Sequence, residues 1–477
     1  MHLPIRGLMA VVLLCACAFV ACVYPASVQE MTVEEARSAL EANELSLGPK
    51  PLVEHAARGD EYAVALLLQA GMDPNTIWDF RDLSPLTAAA QRGHAEVVET
   101  LLEAGADPDL ANDDGHVALM GAAYRGHETV VAQLLDAGAS VDRQTADDWS
   151  ALTAALLQGH SEVVKQLLSS GASPTTTVQS SLWLITQAIW SGGTAIDRQL
   201  VVSDGLPGQE KSASFALGGD TSYSITPLEI ALLNRDTTSF VALLREGAGA
   251  PLSEEEAALF DAIATGDQQR LRTRIGEGVN VRAQGPRGLT PVTVAAAVGT
   301  EDLVRKLLEA GGKPYAEVPG GMSPLHWAAF RSDGEEIVEQ LLSAGEGVDA
   351  AGENRQTALL VASGAGHLPV VERLLAAGAA VEVAMNDGGT ALLLASQNGH
   401  DAVVERLLEA GAAVEVAADN GATALLVASF GGHHMVVRQL IAAGADTDAR
   451  LEDGRSAKDL AREAGHERVY RLLDSED

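Results

Sequence analysis

Seven of the twelve histidines in this chain of 477 residues follow a glycine at the head of a predicted second helix, in two series spaced by 33 residues. Imidazole is a common ligand of Zn²⁺. Equivalent residues of neighbouring helical repeats lie about 10 Å apart, however, whereas two ligands of one zinc ion lie about 4 Å apart. The spacing therefore favours a structural role, in which each ring hydrogen-bonds the start of a helix to an adjacent turn. These residues are His94, His127, His160, His367, His400, His433 and His466.

Other patterns that would support catalysis are incomplete. The run Gly311-Gly312-Lys313-Pro314 lacks the spaced first glycine and the final Ser or Thr of a phosphate-binding loop. The sequence contains no Gly-x-Ser-x-Gly motif, and its three cysteines all lie within the first 22 residues. We therefore predict a protein that is not an enzyme and has no catalytic residues, metal site or cofactor.

The charge of the chain excludes a second class of function. It has 66 acidic residues against 32 Lys and Arg, a net charge of −34, and no basic stripe. Nucleic acids are bound largely through cationic side chains, so we expect protein partners and no nucleic acid. The chain is 47% hydrophobic and 21% charged, which indicates a folded protein. Its many carboxylates are then a solubilising surface.

Residues 1–26 have the layout of a secretory signal, with Arg6 before an apolar run from Leu8 to Ala21. This run of 14 residues is shorter than the roughly 20 that cross a bilayer. The residues before Cys22, and before Cys17, resemble the bacterial lipobox, whose cysteine becomes lipidated; we prefer Cys22. Cleavage without lipidation, for instance after Ala26, is the alternative. We therefore predict an exported bacterial protein that is periplasmic, outer-membrane-anchored or secreted, and whose membrane contact is limited to an N-terminal lipid anchor.

The helices that would position these residues follow the same period of 33 residues. Within residues 390–412, two apolar stretches flank Gly399-His400. Leu392, Ala395 and Ser396 are predicted to share one face of a short first helix. A second helix follows, with the apolar stripe of Val403, Val404, Leu407 and Leu408. Gly399 and Gly411 can end these helices, and Asn-Gly or Asp-Gly pairs between repeats favour tight turns.

This pattern resembles the ankyrin repeat, whose consensus contains Thr-Pro-Leu-His-x-Ala-Ala, Gly-His and Leu-Leu-x-x-Gly-Ala. The resemblance covers residues 51–477. It implies an all-α repeat solenoid of about 12 or 13 repeats, each a helix-turn-helix plus a β-turn finger, stacked into a curved rod. We divide the chain into a signal peptide (1–26), an N-terminal capping helix (27–50), repeats (51–205), an inserted loop (206–225) and further repeats with a C-terminal capping repeat (226–477).

Three features interrupt the pattern or close its ends. Pro227 follows Leu184 by 43 residues instead of 33, which indicates the inserted loop after a repeat at 183–205. A one-residue insertion is predicted near Asp333-Gly334. Thr32 and Glu35 have the spacing of a capping box, which would open the capping helix.

The resemblance also implies where a partner would bind. Similar proteins grip partners on their concave face, through finger residues and the two positions before Gly-His. Trp, Tyr and Arg are the types that most often dominate interface energies. For Trp190 the alternative is packing beneath the inserted loop, and for Tyr124 and Arg125 it is an ordinary exposed position. The predicted partner-binding residues are Phe80, Arg81, Gln91, Arg92, His116, Tyr124, Arg125, Trp149, Trp190, Phe330, Arg331 and Phe430.

The function predicted from the sequence is a non-catalytic scaffold for protein–protein interaction in the cell envelope or outside the cell. Two alternatives stay open. One is an inhibitor or accessory subunit of an envelope enzyme, which would use the inserted loop to cover the enzyme's site. The other is a secreted effector that binds a host protein.

Overall fold

A computed structural model describes residues 28, 31–78, 83–146, 148–175, 178–180, 223–247, 252–285, 288–315 and 322–474 of the chain. The chain divides into two compact units. Unit 1 comprises Met1–Ser173 and Asp197–Val202, and unit 2 comprises Pro174–Ile196 and Ser203–Asp477. Both are built from α-helices that follow one another as antiparallel pairs, so the predicted class, an all-α repeat solenoid, is confirmed.

Unit 1 begins with α1 (Val33–Ala42), which contacts α3 of the first helix pair. The predicted capping box is present: the Thr32 hydroxyl accepts from the Glu35 N–H, and the Glu35 carboxylate accepts from the Thr32 N–H. Arg37 Nε donates to the carbonyl oxygen of Ala70, 3.2 Å away, and fastens α1 to the first pair. Four helix pairs are described: α2 (Pro49–Arg58) with α3 (Glu61–Gln69), α4 (Pro85–Arg92) with α5 (Ala95–Glu103), α6 (Ala118–Arg125) with α7 (Glu128–Asp136), and α8 (Ala151–Gln158) with α9 (Ser161–Ser169).

Unit 2 begins with a two-stranded antiparallel sheet, in which Val178 of β1 (Val178–Ser180) pairs with Ile225 of β2 (Tyr223–Ile225). Eight helix pairs are described after it. They are α10 (Pro227–Leu233) with α11 (Thr237–Arg245), α12 (Glu254–Ala264) with α13 (Gln268–Gly276), α14 (Pro291–Val298) with α15 (Glu301–Glu309), α16 (Pro324–Ala329) with α17 (Glu335–Ser343), α18 (Ala358–Ala365) with α19 (Leu368–Ala376), α20 (Ala391–Gln397) with α21 (Asp401–Glu409), α22 (Ala424–Phe430) with α23 (His434–Ala442), and α24 (Ala457–Glu463) with α25 (Glu467–Asp474).

The sheet corrects one boundary of the sequence interpretation. Tyr223–Ile225 was assigned to the inserted loop, but these residues form β2, because β1 supplies an antiparallel partner. The remainder of that loop, and the repeat predicted at 183–205, lie outside the described residues.

In most pairs the first helix is more buried than the second, and here the prediction for residues 390–412 was incomplete. Every residue from Ala391 to Ser396 is buried, rather than one face only. The reason is that α20 has the first helices α18 and α22 in contact on its two sides. The second helix, α21, instead buries a stripe that contains Val403, Val404 and Leu407.

Glycine ends the helices as predicted. Gly399 and Gly411 have φ of 74° and 91°, a left-handed conformation that glycine adopts without strain. In the part of the chain that the structure describes, no helix combines the length and apolar character needed to cross a bilayer.

Candidate partner-binding surfaces

The Gly-His histidines join each repeat to the one before it. His94, His127 and His160 occupy the N-cap positions of α5, α7 and α9, but their side chains do not cap those helices. Each Nε2–H donates to a carbonyl oxygen near the end of the preceding first helix: Ala57 at 3.1 Å, Gln91 at 3.2 Å and Tyr124 at 3.0 Å, respectively. The predicted structural role is confirmed, with the bond crossing between repeats.

In five of the seven Gly-His pairs, the glycine makes room for the histidine of the next repeat. A Cβ atom at Gly93 would lie 2.5 Å from Nδ1 of His127, and one at Gly366 would lie 2.5 Å from Nδ1 of His400. Glycine is thus required both for its positive φ and for this close approach. Burial lowers the pKa of His127 and His400, which keeps these rings neutral near pH 7.

Four predicted partner-binding residues meet in unit 1. Gln91, His116, Tyr124 and Trp149 line one shallow depression of about 10 Å³. They come from three successive repeats, since Gln91 lies on α4, Tyr124 on α6 and Trp149 just before α8. Gly121 allows this approach, because a Cβ there would lie 2.5 Å from Cγ of Gln91. We define the unit 1 patch as Gln91, Arg92, His116, Tyr124, Arg125 and Trp149, of which the two arginines are exposed.

The patch combines the buried side chains of Tyr124 and Trp149 with the exposed side chains of Arg92 and Arg125. Tyr124 is only 4% exposed, so the alternative of an ordinary exposed position is wrong for it, and Trp149, predicted to contact a partner, is only 9% exposed. Tyr124 is covered because α6 has α4 and α8 in contact on its two sides. The Arg125 guanidinium lies 5.7 Å from the centre of the Tyr124 ring, within cation–π range. Arg92 Nη1 donates to the carbonyl oxygen of Ala57 at 3.2 Å.

Arg331, predicted to contact a partner, is instead part of the scaffold. It is 6% exposed, and its Nη1 donates to the carbonyl oxygens of Ala296, Ala297 and Gly299 at 3.2, 3.3 and 2.7 Å. Nε and Nη2 bind the Asp333 carboxylate, each at 3.0 Å. Gly334 stands at the N-cap of α17, where other repeats have histidine. The Arg331 side chain therefore makes the cross-repeat bonds to the end of α14, and its predicted role is corrected.

Phe330, predicted beside Arg331, is half-buried and lines a larger cleft of about 190 Å³ in unit 2. Its ring centre lies 6.1 Å from that of Trp327, with the planes tilted by 53°. Arg235 and Leu232, at the end of α10, form the opposite wall. Sequence reasoning missed Trp327 and Arg235. One signal was available for Arg235, which occupies the position before the second helix where most repeats have glycine.

The structure describes one of the remaining predicted site residues. Phe430 is half-buried at the end of α22 and belongs to neither the patch nor the cleft. Phe80, Arg81, Trp190, Cys17 and Cys22 lie outside the described residues.

A buried polar cluster lies beneath the α16 repeat. The Nδ1 of His326 and the hydroxyl of Ser323 are 2.8 Å apart, and His326 Nε2–H donates to the carbonyl oxygen of Gln356 at 2.8 Å. The Glu346 carboxylate accepts from the Leu325 N–H at 3.3 Å. Glu346 is 5% exposed, and burial raises its pKa to about 8. Ser323 and His326 are 3% and 1% exposed, so this group is a closed structural network without substrate access.

Helix pairs joined in series by these cross-repeat bonds define a helical repeat protein. The chain matches a family model described as ankyrin repeats in three copies over residues 19–112, 104–178, 228–350 and 325–418. A model of the single ankyrin repeat matches residues 420–451. The chain belongs to the ankyrin-repeat family, whose repeats form protein-interaction scaffolds.

Curated relatives match over part of their length. The chain is 33% identical over 110 residues to the bovine (Bos taurus) inactive serine/threonine-protein kinase TEX14, covering 22% of this chain and 7% of that protein. It is 29% identical over 154 residues to ankyrin repeat, SAM and basic leucine zipper domain-containing protein 1 of Echinops telfairi, covering 31% of each. The chain thus spans less than a third of the length of each of these two relatives.

Proposed function

We propose that this protein is an exported, non-catalytic scaffold that binds a partner protein through the unit 1 patch. One observation carries the proposal: Gln91, Tyr124 and Trp149, from three successive repeats, line a single depression. Trp, Tyr and Arg are the residue types that most often dominate binding energy. Because four of the six patch residues lie on helices, little ordering entropy is lost on binding.

The charge of the patch indicates the kind of partner. Arg92 and Arg125 are exposed cations on a chain with a net charge of −34, and Arg125 lies over the ring of Tyr124, which lines the depression. Partner carboxylates would be attracted to these two guanidinium groups, and a partner side chain would pack over the Tyr124 and Trp149 floor. The patch therefore suits a protein surface that combines acidic and apolar residues.

The location is part of the same proposal. Residues 1–26 have the composition of a bacterial secretory signal, and Cys22, or else Cys17, would carry a lipid anchor to the cell envelope. Fractionation of cells that express the wild type, Cys22→Ala and Cys17→Ala tests this. Loss of the protein from the membrane fraction in Cys22→Ala alone supports the anchor at Cys22. Cytoplasmic retention of the wild type contradicts export.

Exposed residues give the cleanest test of the patch, because substitution of the buried Tyr124 or Trp149 would also disturb packing. Wild type, Arg125→Ala and the control Lys165→Ala are compared by capture from an envelope extract and quantitative mass spectrometry. Lys165 is an exposed cation on the second helix α9, outside the patch. A partner that is lost with Arg125→Ala and retained with Lys165→Ala supports the proposal. Equal capture by both variants, with unchanged circular dichroism, contradicts it.

A further inference from the structure

The ends of three first helices meet around the unit 2 cleft. The helix α10 contacts α14 directly, and α14 contacts α16. Leu232 and Leu233 at the end of α10, Ala297 on α14, and Trp327 and Phe330 at α16 give the cleft mainly apolar walls. Its volume of about 190 Å³ equals that of roughly six water molecules, which is the size of one large side chain.

Trp327 lines this cleft, and its indole carries a buried hydrogen-bond donor. The residue is 2% exposed, and its Nε1–H has no hydrogen-bond acceptor within the described part of the chain. Buried N–H groups normally have an acceptor, and leaving one without an acceptor costs free energy. A ligand carbonyl or carboxylate oxygen in the cleft would supply the acceptor that the protein does not.

The charges at the cleft are positive. Among the residues that line it, those with a permanent charge are Arg235 and Arg331. Arg331 is engaged by Asp333, and Arg235 Nη1 lies 3.6 Å from the same carboxylate, so two arginines face one acid. His367 also lines the cleft, but burial lowers its pKa and keeps it neutral. One positive charge is left over, on a chain whose net charge is −34.

The backbone of Arg235 also distinguishes this cleft. Its φ is 55°, in the left-handed region. The equivalent residues before α3, α5 and α7 are glycines, which adopt that conformation without strain: Gly59, Gly93 and Gly126. A side chain held in a strained conformation at the rim of a cleft is a common feature of binding sites.

We propose that the unit 2 cleft binds an acidic segment of a partner protein. The segment packs one apolar side chain against Trp327 and Phe330 and places a carboxylate on Arg235. Its backbone or carboxylate oxygen accepts the Trp327 Nε1–H. Charge complementarity identifies this occupant, because a guanidinium stands at the rim of an otherwise apolar site. The site is separate from the unit 1 patch and extends the proposed function.

Three acetylated and amidated hexapeptides test the proposal: EDLFDE, its uncharged counterpart QNLFNQ, and EDGGDE, which lacks the apolar pair. Each is titrated into the ¹⁵N-labelled full chain, and the tryptophan indole cross-peaks are followed, with Trp327→Phe assigning that of Trp327. We expect EDLFDE to shift the Trp327 peak and to bind at least tenfold more tightly than either other peptide. Arg235→Gln should weaken EDLFDE binding at least tenfold.

The control variant is Arg245→Gln, an exposed arginine on α11 of the same helix pair that does not line the cleft. It should bind EDLFDE as the wild type does. Equal binding of EDGGDE would show a plain anion site, and equal binding of QNLFNQ a plain apolar one; either result overturns the proposal. A Trp327 peak that shifts with protein concentration alone would assign the cleft to a second copy of this chain and overturn it too. If no peptide shifts the Trp327 peak, the proposal is overturned as well. This result does not depend on whether the unit 1 patch binds a partner.

Discussion

The Nε2–H of His433 donates a hydrogen bond to the carbonyl oxygen of Gln397, 2.9 Å away and 36 residues earlier in the chain. The ring belongs to the start of one second helix and the carbonyl to the end of the preceding first helix, so this bond holds two repeats together. The same relationship recurs between His400 and Gly364 at 2.9 Å and between His367 and Phe330 at 3.0 Å.

Removal of this bond should loosen the interface between two repeats. We expect His433→Ala to lower the free energy of unfolding by about 1 to 2 kcal/mol, and to speed amide hydrogen exchange at the end of α22. The matched control is His434→Ala, a histidine one residue further along. Urea denaturation and hydrogen-exchange mass spectrometry measure both effects. Equal losses in the two variants would show that the cross-repeat bond is not the cause.

The glycine that faces a histidine should tolerate substitution less well than a glycine that faces open space. Gly432 and Gly444 have φ of 73° and 94°, so alanine at either costs about 1 kcal/mol of backbone strain. A Cβ at Gly432 would also lie 2.6 Å from Nδ1 of His466, whereas at Gly444 nothing lies within 4 Å. Gly432→Ala should therefore cost about 1 to 3 kcal/mol more than Gly444→Ala. Thermal unfolding of the pair measures this difference, and equal melting points would contradict the steric account.

Glu346 should make stability fall as the pH rises. Its pKa is 4.5 in the unfolded chain and about 8 in the folded protein, so the folded state binds more protons between these values. The free energy of unfolding should therefore fall by on the order of 1 kcal/mol per pH unit between pH 4.5 and 8. Above pH 8 the carboxyl favours folding least.

The comparison of wild type with Glu346→Gln isolates this effect, because the contributions of the histidines cancel in the difference. The variant should match the wild type near pH 4.5 and exceed it in stability progressively toward pH 8. Glu336→Gln, at an exposed position on α17, is the control. Urea midpoints at several pH values provide the measurement, and a difference that does not change with pH would contradict the raised pKa.

Arg331 should not be replaceable by lysine. Its planar guanidinium reaches three carbonyl oxygens and both Asp333 oxygens at once, which a single ammonium group cannot do. We expect Arg331→Lys to cost about 2 kcal/mol or more. Arg373→Lys is the control, since Arg373 makes one ion pair, to Glu339, and should change stability by less than about 0.5 kcal/mol. Limited proteolysis between α14 and α17 reports the local opening, and similar cleavage of both variants would argue against the role assigned to Arg331.

Local sequence predicts much of this architecture, because the determining interactions repeat. The 33-residue period, the glycines after each helix and the Thr32–Glu35 capping box are short-range signals, and the structure contains them. The structural role of the Gly-His histidines also follows from spacing alone, since equivalent rings are too far apart to share one metal ion.

The errors concern residues whose environment depends on a neighbouring repeat. Tyr124 occupies a position that is exposed on an isolated helix pair, but α4 and α8 cover it. Arg331 is buried because its side chain binds the end of α14. The histidine that makes this bond in other repeats is missing here, as a result of the insertion near Asp333. The unit 2 cleft arises because α10 and α14 come into contact although a helix pair separates them in the chain. None of these arrangements is encoded in the spacing of one repeat.

The pairing of a glycine in one repeat with a histidine in the next has a consequence for how such a chain can change length. Excision of residues 367–399, one whole period of 33, would leave Gly366 followed by His400 and bring His433 opposite Gly366. His433 and His466 would each again face a glycine, and His400 would take the place of His367. Loss of a number of residues that is not a multiple of 33 would set one ring against a side chain or a gap. Duplication and deletion are therefore tolerated in whole periods, and the interval matters more than the position of the break.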